Sequence, residues 1–140
     1  GTTGSVMVEG RISSSAIVGD GSDVGGGASI LGVLSGTDGN PISVGKNCLL
    51  GANSTCGIPL GDGCIIDAGL SILEGTKIAI YPEELLKIME VNTNANMEGE
   101  IFKGKQLSFF SGLHFRQNSM TGEITASRST KEVKLNADLH

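Results

Sequence analysis

Val18-Gly19-Asp20-Gly21-Ser22-Asp23-Val24-Gly25-Gly26-Gly27-Ala28-Ser29-Ile30 carries an aliphatic residue at every sixth position, at Val18, Val24 and Ile30. Outward from this stretch the series runs back through Ile12 to Val6 and resumes at Val44, Leu50 and Cys56. It shifts once more and continues through Leu60, Ile66, Ile72 and Ile78. All of these except Cys56 are Val, Ile or Leu, in a chain that is only 39% apolar, so the spacing is a pattern and not an accident of composition. The next position is often Gly or acidic: Gly19, Gly25, Gly45, Gly51, Gly61, Asp67. The fourth position after the aliphatic is mostly small: Ala16, Ser22, Ala28, Cys48, Ser54, Cys64, Thr76.

A period of six fits neither the 3.6-residue turn of a helix nor the simple alternation of a strand. It fits a triangular coil in which each hexad supplies a short strand and a turn, with about 18 residues per coil. The aliphatic side chain points inward and stacks on its equivalent about 4.8 Å away along the axis, while small residues occupy the crowded corners. The predicted fold is therefore all-β, a hexapeptide-repeat solenoid of about four coils and about 20 Å in length. Its inward positions are Val18, Val24, Ile30, Val44, Leu50, Leu60, Ile66 and Ile72. So short a prism buries little surface and should lean on neighbouring copies.

Two interruptions stand out. Eight extra residues separate the hexads at Ile30 and Val44, and Ser35-Gly36-Thr37-Asp38-Gly39-Asn40-Pro41-Ile42-Ser43 reads as a turn-rich loop pushed out of the coil. The step from Cys56 to Leu60 is only four residues, so a corner is tightened at Gly57-Ile58-Pro59. Insertions of this kind often mark the binding face of a solenoid.

Residues 1–80 form the repeat, and 81–140 are expected to cap its open end and to contact ligand. Within that cap, Pro82 to Glu90 reads as a short helix with Pro and acids in its first turn. Asn92 to Gly99 reads as a loop. His114 to Asn118 and a strand from Ile124, joined by Met120-Thr121-Gly122-Glu123, read as a hairpin.

Composition narrows the function. With 140 residues and 18% charge the chain has a core and is not disordered. A net charge of −5 argues against general nucleic-acid binding. No run of about 18 apolar residues offers a membrane span, and no signal-peptide pattern opens the chain. The start at Gly1-Thr2-Thr3-Gly4, without Met, predicts a fragment or processed piece. Cys48, Cys56 and Cys64 are odd in number and suit free thiols in a reducing cytoplasm. Zinc-dependent hydration needs about three converging imidazoles, and the two histidines, His114 and His140, both lie outside the hexads. Cys48 and Cys64 occupy equivalent small positions and read as buried packing residues before metal ligands. The hexads hold too few threonines for an ice-ordering array. A third use of such solenoids is acyl transfer from a CoA or carrier thioester, and without a histidine in the coils its base, if any, must be another group. Among the carboxylates Asp20, Asp23, Asp38, Asp62, Asp67 and Glu74, most sit beside Gly at turns, as solvated acids do. Glu9 lies instead between Val8 and Gly10-Arg11 in an apolar hexad, where partial burial would raise its carboxyl toward a useful range, with a surface pairing to Arg11 as the bland alternative.

Val6-Met7-Val8-Glu9-Gly10-Arg11-Ile12-Ser13, the stretch from Val18 through Leu31-Gly32, Lys46-Asn47-Cys48-Leu49-Leu50-Gly51-Ala52-Asn53-Ser54, and Phe115-Arg116-Gln117-Asn118-Ser119 together resemble tetrahydrodipicolinate N-succinyltransferase. The likeness is to the longer bacterial form, known from actinobacteria and some proteobacteria. It covers nearly the whole chain and weakens between Ile80 and Gly112. The resemblance implies a left-handed parallel β-helix and a homotrimer with active sites between neighbouring solenoids. It implies transfer of succinyl from succinyl-CoA to the amine of L-2-amino-6-oxopimelate, a cytoplasmic step of lysine and diaminopimelate biosynthesis. The family's catalytic glutamate falls on Glu9 and its oxyanion-binding amide on Gly32. Its succinyl-CoA contacts fall on Arg11, Gly26, Ser29, Ala52, Asp67, Ala68, Gly75, Lys103, Arg116, Gln117, Asn118 and Ser119. At Asp67 some relatives carry Glu, which points to a backbone role there. The family's N-terminal region, which helps bind the amine and in some members a metal on the trimer axis, has no counterpart in these 140 residues. The fragment is therefore expected to hold CoA and to turn over poorly, with no metal of its own. A hexapeptide acyltransferase with another acyl group or acceptor, and a non-catalytic structural solenoid, are the competing readings.

Overall fold

A computed structural model of the chain describes Met7–Val8, Arg11–Ile12, 17–31 and 42–130. Short strands follow one another: β1 Met7–Val8, β2 Arg11–Ile12, β3 Ile17–Val18, β4 Asp23–Val24, β5 Ser29–Ile30, β6 Ser43–Val44, β7 Leu49–Leu50, β8 Thr55–Cys56, β9 Ile65–Ile66, β10 Ser71–Ile72 and β11 Lys77–Ala79. Then come α1 Pro82–Val91, β12 Ile101–Lys103, a 3-10 turn over Gly104–Leu107, β13 Leu113–Gln117 and β14 Ile124–Arg128. The fold is thus mostly strand with one short helix, as the hexads and the Pro82-led segment predict.

The strands stack in parallel ladders. One runs β3-β6, with Val18 beside Val44 and a single bridge from Val44 to Leu60. A second aligns Val8, Val24, Leu50, Ile66 and Phe115 across β1, β4, β7, β9 and β13. The third aligns Ile12, Ile30, Cys56 and Ile72 across β2, β5, β8 and β10. In β4, β5, β6 and β7 the first residue faces outward and the second is buried, the two-residue alternation of a pleat. Val18, Val24, Ile30, Val44, Leu50, Leu60, Ile66 and Ile72 are all buried, so the inward positions read from the spacing are the core. The loop expected over Ser35–Ser43 lies largely outside the described residues, 32–41 being undescribed.

Two details of the register differ from the six-residue reading. Val8, not Val6, pairs with Val24, so the step to Ile12 is four residues, as it is from Cys56 to Leu60. Spacing favours Val6, but residues two apart share a face of an extended chain, so the apolar pattern alone does not exclude Val8. Ile78 is buried but does not continue the column above Leu60. Its strand pairs with β12, Ile78 beside Phe102, and with β14. The slot above Leu60 is closed by a distant segment: Phe109 N donates to Pro59 O at 2.9 Å, and Gly61 N donates to Phe110 O at 2.8 Å.

The C-terminal elements cover the last coil. β13 adds in parallel to β9, setting Phe115 beside Ile66. β14 returns antiparallel along β13. α1 begins with Pro82 and carries Glu83 and Glu84 in its first turn, which suits the N-terminal end of the helix dipole. It buries Ile88 in the common core. Glu84 Oε1 accepts the Arg128 amide at 2.9 Å, which holds its carboxyl below the usual range and ties α1 to β14. At the other end Asn92 Nδ2 donates to Ser111 O at 2.9 Å and Asn92 Oδ1 accepts Ser111 N at 2.8 Å.

Candidate functional site

The turns between the second and third ladders are built alike. After the buried residues Val24, Leu50 and Ile66 come Gly25, Gly51 and Asp67, then Gly26, Ala52 and Ala68. Coils lie so close here that a Cβ on Gly25 would stand 2.9 Å from Ala52 N, and one on Gly51 would stand 2.5 Å from Ala68 N. The chain then turns through the left-handed region at Gly27 (φ 74°), Asn53 (φ 59°) and Gly69 (φ 75°). Asn is the non-glycine residue that tolerates this conformation best. At Gly27 any side chain would strike the Asn53 carboxamide. What the turn presents is therefore mostly backbone and small residues, with Ala52 and Ala68 exposed and Gly26 half-buried.

β13 extends this edge. Phe115 pairs with Ile66, so Arg116 and Gln117 follow beside Asp67 and Ala68. The strand's alternation buries Phe115 and turns His114 and Arg116 to the other face. His114 Nε2 lies 2.6 Å from Asp67 Oδ1, and Arg116 Nη2 lies 3.1 Å from His114 Nδ1. The backbone of Asp67 is engaged: its amide donates to Phe115 O at 3.2 Å and its carbonyl accepts Leu70 N at 3.3 Å. Its carboxylate is engaged as well, by His114. Beyond β13, Asn118 Oδ1 accepts the amides of Met120 at 2.8 Å and Thr121 at 3.1 Å, which shapes the hairpin tip and leaves Ser119 exposed.

On the third ladder Arg11 pairs with Ser29, and Ser29 with Thr55. At the end of that ladder the chain turns through Gly75, where a Cβ would meet nothing within 4 Å. The segment carrying Lys103 packs on this turn: Gly104 N donates to Thr76 O at 2.8 Å and Lys105 N to Glu74 O at 2.9 Å. Ten of the candidate residues lie on the third ladder or at the turns that border it, and Asn118 and Ser119 lie at the hairpin tip. Gly26, Ala52, Asp67, Ala68, Arg116 and Gln117 line one turn, Arg11 and Ser29 lie on the ladder, and Gly75 and Lys103 sit at the other turn. Glu9 and Gly32 lie outside the described residues. His114 was not singled out by the hexad argument, although its place two residues before Arg116 on a strand was the available signal.

The cysteines behave as packing residues. Cys48, Cys56 and Cys64 are buried free thiols. Cys48 Sγ and Cys64 Sγ donate to the carbonyls of Gly61 and Phe110, each at 3.2 Å. Contact with the Cys48 sulfur and full burial hold the Cys64 thiol well above its usual range, and burial pushes Cys56 up to about 12. Among the described residues no group of three or more His, Cys, Asp or Glu could hold a metal ion, and no helix is long and apolar enough to cross a membrane.

A family model described as the hexapeptide repeat of succinyl-transferase matches residues 41–74. Over its whole length the chain is 71% identical to a 2,3,4,5-tetrahydropyridine-2,6-dicarboxylate N-succinyltransferase of Sulfurovum sp., spanning 36% of that protein. It is 57% identical to the protein of that name in Helicobacter pylori, spanning 35% of it. A crystal structure from Campylobacter jejuni, described as a candidate 2,3,4,5-tetrahydropyridine-2-carboxylate N-succinyltransferase, superposes with a TM-score of 0.88 at 62% identity. That match covers 95% of this chain and 34% of the other. The chain spans little more than a third of the curated relatives it matches, and the resemblance to this succinyltransferase family holds along all of it.

Proposed function

We propose that this chain is the hexapeptide-repeat part of a tetrahydrodipicolinate N-succinyltransferase. The whole enzyme moves succinyl from succinyl-CoA to the amine of L-2-amino-6-oxopimelate, in the cytoplasm, on the route to diaminopimelate and lysine. The three ladders close a left-handed parallel β-helix, residues 1–80, with 81–140 as cap and CoA-contacting segment. Three copies pack as a trimer, and the grooves between them hold the substrates.

The observation that carries this reading is the convergence of the residues named above on one ladder and its two turns. An elongated thioester cofactor needs such a surface. The small residues Gly26, Ala52 and Ala68 leave room along this turn for a pantetheine arm. Arg116 and Lys103 supply positive charge for phosphates on an otherwise acidic chain.

Amide formation from a thioester needs a neutral amine and a stabilised oxyanion. Glu9 takes the proton from the acceptor ammonium. The freed lone pair attacks the thioester carbon, and the amide of Gly32 donates to the oxygen as it gains charge. Collapse of the tetrahedral intermediate expels the CoA thiolate, which takes the second proton of the attacking nitrogen, and Glu9 releases its own proton to solvent. In a covalent variant Glu9 itself takes the succinyl group as a mixed anhydride. Direct attack is favoured because a neutral amine is already a good nucleophile toward a thioester.

Thiol release by the complete protein tests this, with succinyl-CoA and acetyl-CoA compared. Succinyl-CoA is expected to be turned over with the amino-oxopimelate acceptor. Glu9→Gln should lower turnover by about 10²–10⁴ while leaving succinyl-CoA binding nearly intact. Near-normal turnover in that variant removes Glu9 from the mechanism, and preference for acetyl-CoA removes the succinyl assignment.

A further inference from the structure

The contacts of Asp67, His114 and Arg116 restrict one another. A guanidinium has only donors, so the imidazole nitrogen facing it must accept. An ionised carboxylate has only acceptors, so the nitrogen facing it must donate. His114 meets Arg116 Nη2 through Nδ1 at 3.1 Å and Asp67 Oδ1 through Nε2 at 2.6 Å. One tautomer satisfies both, with the proton on Nε2. Arg116 Nε, 3.4 Å from that same Nε2, then faces an N–H, so the working contact of the arginine is the Nη2 one.

The arrangement has an electrostatic consequence. Asp67 is joined to Arg116 through the imidazole, and among the described residues Arg116 forms no direct ion pair with a carboxylate. A direct Arg–carboxylate fork would occupy two donors and offset the positive charge. Here one donor of five is held by an imidazole acceptor, and the side chain of His114 is itself only 14% exposed. The ring is largely buried and held by Asp67, so it can hold the guanidinium in one direction.

We infer that His114 is a positioning residue: braced by Asp67, it aims the guanidinium of Arg116 at a phosphate of the acyl-CoA without pairing it directly with a carboxylate. This rests on the acyl-CoA reading of the site given above, and deepens it by one residue. The arginine touches the anion, and the histidine acts only through the arginine.

The complete protein tests it by calorimetric titration with free CoA and with pantetheine, which shares the arm but lacks the nucleotide phosphates. Arg116→Ala and His114→Leu should each weaken CoA binding, His114→Leu by roughly 5- to 20-fold, with pantetheine affinity unchanged. His114→Gln, which keeps one donor and one acceptor, should restore most of the affinity. In an Arg116→Ala background, His114→Leu should change CoA affinity by less than about twofold, because its effect runs through the arginine. Wild-type CoA affinity in His114→Leu overturns the inference. So does an equal loss for CoA and pantetheine, or an undiminished effect in the Arg116→Ala background, either of which marks a merely structural role. If the wild-type protein binds no CoA, the acyl-CoA reading falls and this inference with it.

Discussion

Gly51→Ala tests how tightly the coils must approach at the turn that presents the candidate site. The added Cβ would lie 2.5 Å from Ala68 N, 2.8 Å from Ala68 Cα and 2.9 Å from the Asp67 carbonyl carbon. The worst of these falls about 1 Å short of ordinary contact, and every obstructing atom is backbone, which cannot rotate away. Relief requires the 67–68 segment to move off its neighbour. Gly51 N donates to Ile66 O at 2.8 Å on the same edge, so that movement stretches a buried ladder bond. Overpacking costs about 1–3 kcal/mol and a stranded backbone group about 1–3 kcal/mol, while Gly→Ala returns about 0.4–1 kcal/mol through the unfolded chain. The net expectation is about 2–4 kcal/mol of destabilisation. Gly75→Ala is the control: its Cβ would meet nothing within 4 Å, and its φ lies outside the left-handed range, so it should be neutral or stabilising by up to about 1 kcal/mol. Guanidinium unfolding of the two variants beside wild type measures both. A Gly51→Ala value within about 0.5 kcal/mol of wild type, or equal losses in both variants, would refute the close-approach argument.

Leu50→Ala and Ile66→Ala, which truncate adjacent members of one buried column, should each cost about 2–5 kcal/mol in the same unfolding experiment. Cys56 should resist alkylation by iodoacetamide at pH 8 in the native state and react once the chain is unfolded. Its thiol also predicts a pH dependence. The folded value of about 12 lies above the ordinary 9.0, so the unfolded chain loses this proton first as pH rises. The contribution of Cys56 to stability is therefore complete below pH 9 and is lost as pH climbs toward about 12, at no more than about 1.4 kcal/mol per pH unit. Cys56→Ala should flatten that alkaline limb, and an unchanged limb would show that other groups produce it.

The sequence by itself determined the repeat, the identity of the inward residues and the tightened corner between Cys56 and Leu60. These follow from contacts that recur at fixed spacing along the chain, so a local pattern carries them. It also determined the succinyltransferase likeness and the residues that likeness points to. Tertiary structure decided the rest. The six-residue spacing picks Val6, and only pairing with β4 selects Val8. Ile78 keeps the six-residue step from Ile72, yet its strand pairs with β12 and β14, because a segment some fifty residues beyond Leu60 already fills the slot above it. The pairing of His114 with Asp67 spans 47 residues and depends on β13 joining β9, an alignment of distant strands that no periodicity records. Spacing fixes which face a side chain occupies; only the closed ladder fixes which residues of other segments meet it there.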